Sequence, residues 1–145
     1  MHKLLRGFLL IGFSLYAQNP TLTTQEFPQK EYAKQKVEIA TMVAKEISQT
    51  LPQKIDAYTV LTKVVNDGAM LVYTFEINSG AKSDEAIIKE DHSRMQKAVT
   101  TGVCQSSRKF LAAGINTKYI YISSKSKKEL FIFDITQDKC NGILQ

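Results

Sequence analysis

The chain has 145 residues, 19 basic against 14 acidic side chains, two cysteines and two histidines. That length suits one hydrophobic core and one domain. A mild positive charge with no Trp and no interleaving of aromatic and basic residues excludes a nucleic-acid binder of the usual kind.

The N-terminus reads as a secretory signal peptide, residues 1–17. His2, Lys3 and Arg6 make a basic start, Gly7 to Tyr16 a short apolar core, and Ala17 the small residue before the cut. The apolar run is well short of the roughly 20 residues that span a bilayer. Lys3 and Arg6 leave with the leader, so part of the positive charge goes with it. Residues 18–26 form a flexible polar lead, and 27–145 a single domain.

Helical spacing predicts a first helix from Phe27 to about Gln49, with Ala33, Val37, Ala40, Ala44, Ile47 and Leu51 on one face. Pro28 fits its first turn and Pro52 stops it. Ile55 to Val65 reads as a strand, Asn66-Asp67-Gly68 as a turn, and Ala69 to Ile77 as a second strand. In that second strand Leu71, Tyr73, Phe75 and Ile77 share a face. Ser83 caps a second helix whose apolar face holds Ile88, Met95, Val99 and Val103 and also His92, with Gly102 weakening its end. A short helical turn from Ser107 to Ala112 ends at Gly114, a left-handed C-cap. Lys118 to Ser124 and Glu129 to Ile135 make a second hairpin around the turn Lys125–Lys128. The expected fold is α+β, helix–hairpin–helix–hairpin. Four antiparallel strands form one sheet packed on two helices.

An even cysteine count in an exported chain predicts a disulfide, Cys104 to Cys140, tying the second helix to the strand that ends the unit. Closing the chain between them stabilises by about 4 kcal/mol on the entropic account.

Few groups point to catalysis. His92 is the only histidine after the leader, with Asp91 beside it and Asp84 and Glu85 two turns back. Ser93 is adjacent but points about 100° away on a helix, and Cys104 lies about 120° around from His92. No nucleophile-elbow or zinc-helix motif occurs. One histidine and two bridged cysteines do not make a zinc set, and Asp84, Glu85, Glu90 and Asp91 lack calcium-loop spacing. No catalytic residue, metal site or cofactor is assigned.

The second hairpin is different. Tyr119 and Tyr121 share one face and Ile120 and Ile122 the other, while Phe131, Phe133 and Ile135 oppose Leu130, Ile132 and Asp134. Both faces are apolar, which a sheet with one wet side does not need. Lys125, Lys127 and Lys128 cluster at its turn. Tyr119, Tyr121 and these three lysines are the candidate partner-binding residues.

The run Leu51-Pro-Gln-Lys-Ile-Asp56, Thr59, Leu71 to Ile77, Cys104, Gly114, Tyr119-Ile-Tyr121 and Cys140 resembles a group of small exported bacterial proteins with a Cys…Gly…Tyr-x-Tyr…Cys C-terminal half. The resemblance covers Leu51 to Cys140 and implies export and fold, with no activity. The resulting expectation is an exported, periplasmic or secreted, non-catalytic binding or adaptor domain. Its partner is a protein of the cell envelope, it binds no nucleic acid, and it meets the membrane only through the uncleaved signal peptide. The alternative is a small hydrolase-type envelope enzyme using His92 with nearby carboxylates.

Overall fold

The structure, a computed structural model, describes residues 26–143, so the leader and nearly all of the polar lead lie outside it. Among the described residues no helix is long and apolar enough to cross a membrane.

The elements run α1 (Glu26–Ser48), β1 (Gln53–Lys54), β2 (Thr59–Asp67), β3 (Met70–Ile77), α2 (Asp84–Ser106), α3 (Arg108–Ala112), β4 (Thr117–Ser123), β5 (Glu129–Ile135) and α4 (Gln137–Cys140). The sheet has five strands in the order β1-β2-β3-β4-β5. Both expected hairpins form, as antiparallel β2–β3 and β4–β5. They meet along β3 and β4, which run parallel. The expected four antiparallel strands are therefore corrected to a mixed sheet of five. The cause is the connection: α2 and α3 carry the chain back across the sheet before β4 begins, as a parallel pair requires.

The expected first strand also starts late. Asp56 Oδ1 accepts the backbone N–H of Tyr58 and of Thr59, both at 2.8 Å, and this turn breaks the extended chain. Only Gln53 and Lys54 pair before it, which leaves Ile55 to Tyr58 as a loop.

One sheet face holds the core. Leu71, Tyr73 and Phe75 on β3 align with Thr117, Tyr119 and Tyr121 on β4, and these with Ile135, Phe133 and Phe131 on β5. Two bulges tune which residues reach this face. The register shift after Leu61 lets Leu61 and Val64, three apart, both be buried. The shift at Tyr121 leaves Leu130 unpaired, and Leu130 and Phe131 are both buried. Leu130 thus leaves the face that simple alternation gives it.

Helix α1 packs on β2 and β3, and α2 on β5. Among the described side chains of α1, Ala40 and Ala44 are the buried ones, small enough to bring its axis close to the strands, while Val37 stays exposed. Ser48 Oγ lies 2.7 Å from the Ala44 carbonyl and 2.9 Å from the Val64 carbonyl, so its one proton is shared between α1 and β2. Ser83 caps α2 as expected, its hydroxyl accepting the Ala86 N–H at 3.2 Å. On α2, Val99 and Val103 are buried, but near its start Ile87 is buried and the expected Ile88 is exposed. Gly114, at φ +79°, turns the chain from α3 into β4. The disulfide Cys104–Cys140 is present, with Cα atoms 5.4 Å apart. Cys140 sits in α4 after the last strand, so the bond joins helix to helix.

Candidate functional site

Because α1 covers β2 and β3 and α2 covers β5, the strip of sheet around β4 is left between them. There a groove of about 430 Å³ opens. Tyr73, Phe75, Tyr119 and Tyr121 line it from β3 and β4. Their rings form a contiguous set: Tyr73–Tyr119 centroids are 5.1 Å apart, Phe75–Tyr119 4.9 Å and Phe75–Tyr121 4.8 Å. One wall is α2, through Met95, Ala98, Val99, Gly102 and Val103; the other is Ile55, Asp56, Thr59 and Leu61. A second cavity, of about 330 Å³, shares Asp56, Thr59 and Met95 with the first and extends it toward Ile77, Ile87 and Phe131. Two large apolar side chains on the loop beside it, Ile55 and Tyr58, are 51% and 69% exposed.

The floor is not uniform. Tyr121 is only 6% exposed and is a core side chain, whereas Tyr119 and Tyr73 are half-buried. Burial pushes the Tyr119 hydroxyl up to about 12 and raises Tyr73 and Tyr121 as well, so all three stay protonated donors at neutral pH. Asp56 is held below the usual carboxylate range, first by the Tyr58 N–H.

Gly102 marks the groove on the α2 side. A Cβ built there meets nothing within 4 Å. Glycine inside a helix costs about 1 kcal/mol relative to alanine. Gly102→Ala is therefore expected to raise stability by roughly 0.5–1 kcal/mol in chemical denaturation. A loss of stability would show that position 102 is closely packed.

The candidate contact residues divide. Tyr119 and Tyr121 line the groove; Lys125, Lys127 and Lys128 do not. Lys127 Nζ binds both Glu76 oxygens, at 3.0 and 3.1 Å, and Ser126 Oγ donates to Asp84 at the start of α2. The lysine turn thus faces acids of its own chain. The catalytic candidates are not gathered either. His92 lies edge-on to Phe131, with ring centroids 5.8 Å apart, and also against Phe133 at 5.6 Å. Asp91 is engaged by Arg94 at 3.0 Å and by Lys82 at 3.2 Å, which lower its pKa, the Arg94 bond most. Cys104 carries no thiol. Among the described residues no three His, Cys, Asp or Glu side chains are grouped to hold a metal ion.

The sequence reading did not single out Met95, Ala98, Gly102 and Asp56 as site residues. Gly102 is visible in sequence as a helix-weakening glycine, and Asp56 as part of the Leu-Pro…Asp…Thr run. Neither signal says that the two face one groove. On the opposite sheet face, Val65 and Ile132 are 40% and 43% exposed.

A family model described as a domain of unknown function, DUF8479, matches residues 33–131. The chain belongs to this family. The matched stretch contains every residue that lines the groove. A comparison of the DUF8479 chain with curated proteins finds no match. Solved structures share its fold. One is a protein of Pseudomonas aeruginosa inferred to be secreted, 17% identical with a TM-score of 0.66, covering 76% of this chain and 96% of that one. Another is a pilotin of the Vibrio vulnificus type 2 secretion system, 15% identical, TM-score 0.65, covering 77% and 97%. A third is a type II secretion system pilotin of Vibrio cholerae, 14% identical, TM-score 0.64, covering 77% and 98%. At these identities the likeness establishes the fold alone.

Proposed function

We propose that this DUF8479 chain is an exported, non-catalytic adaptor whose aromatic groove holds an apolar helix of a protein in the cell envelope. The observation that carries the reading is the groove itself: a contiguous row of four aromatic rings lies between α2 and the Ile55–Leu61 segment, with open space at Gly102. Aromatic residues that bury well and keep a polar handle suit a surface that is alternately wet and covered.

The form of the occupant follows from the backbone. The floor strands β3 and β4 are interior and paired on both sides. They have no free edge for an added strand, so an extended segment in the groove would leave its own N–H and C=O groups unpaired. A helix satisfies its backbone internally and offers only side chains. Ala98 and Gly102, one turn apart on α2, allow it a close approach. The shared fold with two secretion-system pilotins supports an envelope-assembly role.

The test is Gly102→Leu beside Gly102→Ala, with recovery of the partner from the native envelope read next to thermal melting. Both variants are expected to fold. The leucine variant is expected to lose the partner, because its side chain enters the groove, and the alanine variant to keep it. Full binding by a folded Gly102→Leu protein would contradict the reading.

A further inference from the structure

Asp56 is the one charged residue among those lining the aromatic part of the groove. Its position is fixed, since Oδ1 accepts the Tyr58 and Thr59 N–H groups. Among the described residues it has no ion-pair partner. The other carboxylate of the extended groove, Asp91, already has Lys82 and Arg94.

Tyr121 lines the same space. Its side chain is more than nine-tenths buried, yet its hydroxyl donates to no acceptor among the described residues. The hydroxyl oxygen is not sealed off, since among the described residues no buried side-chain polar atom lacks both a partner and access to solvent. Tyr73 and Tyr119, also without acceptors among the described residues, add two more hydroxyls and two more ring faces. A fixed negative charge beside hydroxyl oxygens and electron-rich rings lacks one complement: a cation bearing N–H donors. Lys54 acts on Asp56 only at longer range and forms no ion pair with it, so an acidic occupant would meet a carboxylate with no paired cation.

Resting on the groove reading above, we propose that the helix filling this groove carries a single lysine or arginine. Its cationic head sits between the Asp56 carboxylate and the tyrosine rings of the floor. The occupant is thus an apolar helix with one positive charge on its buried face.

The experiment uses the mature chain and two helix-forming, end-capped peptides of ~18 residues, about five turns. They have the same leucine-rich face and differ at one central position, lysine in one and norleucine in the other. Affinities are measured by calorimetry for wild type, Asp56→Asn and Gly102→Leu. Asparagine keeps the side-chain oxygen that accepts from Tyr58 and Thr59, so the turn and fold are retained. The lysine peptide is expected to bind wild type roughly three- to tenfold more tightly than the norleucine peptide. Asp56→Asn should erase that preference while binding norleucine peptide as wild type does. Equal affinities in wild type, or a lysine preference that survives in Asp56→Asn, overturn the proposal. In either case the groove reading stands if norleucine peptide binds wild type and fails with Gly102→Leu. Failure of both peptides to bind wild type overturns the helix-binding groove and this proposal with it.

Discussion

Cys140→Ala is expected to lower the melting temperature by roughly 10 °C or more, a stability loss of about 2–5 kcal/mol. The bond closes a stretch of 36 residues that contains α3, β4 and β5. Without it, the end of α2 and α4 are held against each other only by packing, and the unfolded chain recovers the entropy of that loop. The bond also anchors the C-terminal end of α2, the groove's wall, to α4. Both sulfurs are buried, so the variant leaves an unpaired core thiol at Cys104 as well. Melting of wild type with and without reductant, beside the variant, checks this. A melting temperature unmoved by substitution and by reductant would show that the disulfide contributes nothing to the fold.

Tyr121→Ala is expected to destabilise the domain by about 3–5 kcal/mol, as large aromatic truncations in cores do. The ring packs against Phe75 at 4.8 Å, Phe133 at 6.1 Å and Phe131 at 6.4 Å, joining the groove floor to the part of the core beneath α2. Tyr121→Phe removes only a hydroxyl that has no acceptor among the described residues, so it is expected to change stability by less than about 1 kcal/mol. Tyr119→Ala lies between them: its ring is half-buried on the floor, and the variant is expected to stay folded with a widened groove. Denaturant unfolding of the three variants separates these cases. Equal, small effects of Tyr121→Ala and Tyr119→Ala would mean that both rings are surface contacts.

The contrast between these tyrosines shows what was legible in the sequence. Tyr119 and Tyr121 have the same parity on one strand, and alternation places them on one face, correctly. It does not say that Phe131 and Phe133 press on Tyr121, while Tyr119 is left beside Tyr73 at the groove. Local signals were sound. Ser83 reads as a cap and is one, Gly114 ends α3, and Gly68 turns the chain from β2 to β3, though Asn66 and Asp67, expected in that turn, pair within β2. What local signals omit is adjacency. Two hairpins separated by a helix can meet along several pairs of edges, and no local signal says that β3 pairs with β4. The bulges at Thr62 and Leu130 are likewise set by the tertiary core, and they move Val64 and Leu130 away from where alternation puts them. The groove depends on all of this at once. Asp56, Gly102 and Tyr119 come from three distant parts of the chain, and each alone reads as a turn, a helix defect and a strand residue.

Whether partners are held in the groove between α2 and the Ile55–Thr59 loop is read by site-specific photo-cross-linking in the native envelope. The photoreactive residue is placed at position 55, on the groove wall, and in a control at position 132, on the opposite sheet face. One dominant protein adduct is expected from position 55, lost when Gly102→Leu is added, and none from position 132. An adduct at position 55 that survives Gly102→Leu, or adducts from position 132 alone, would contradict binding in the groove.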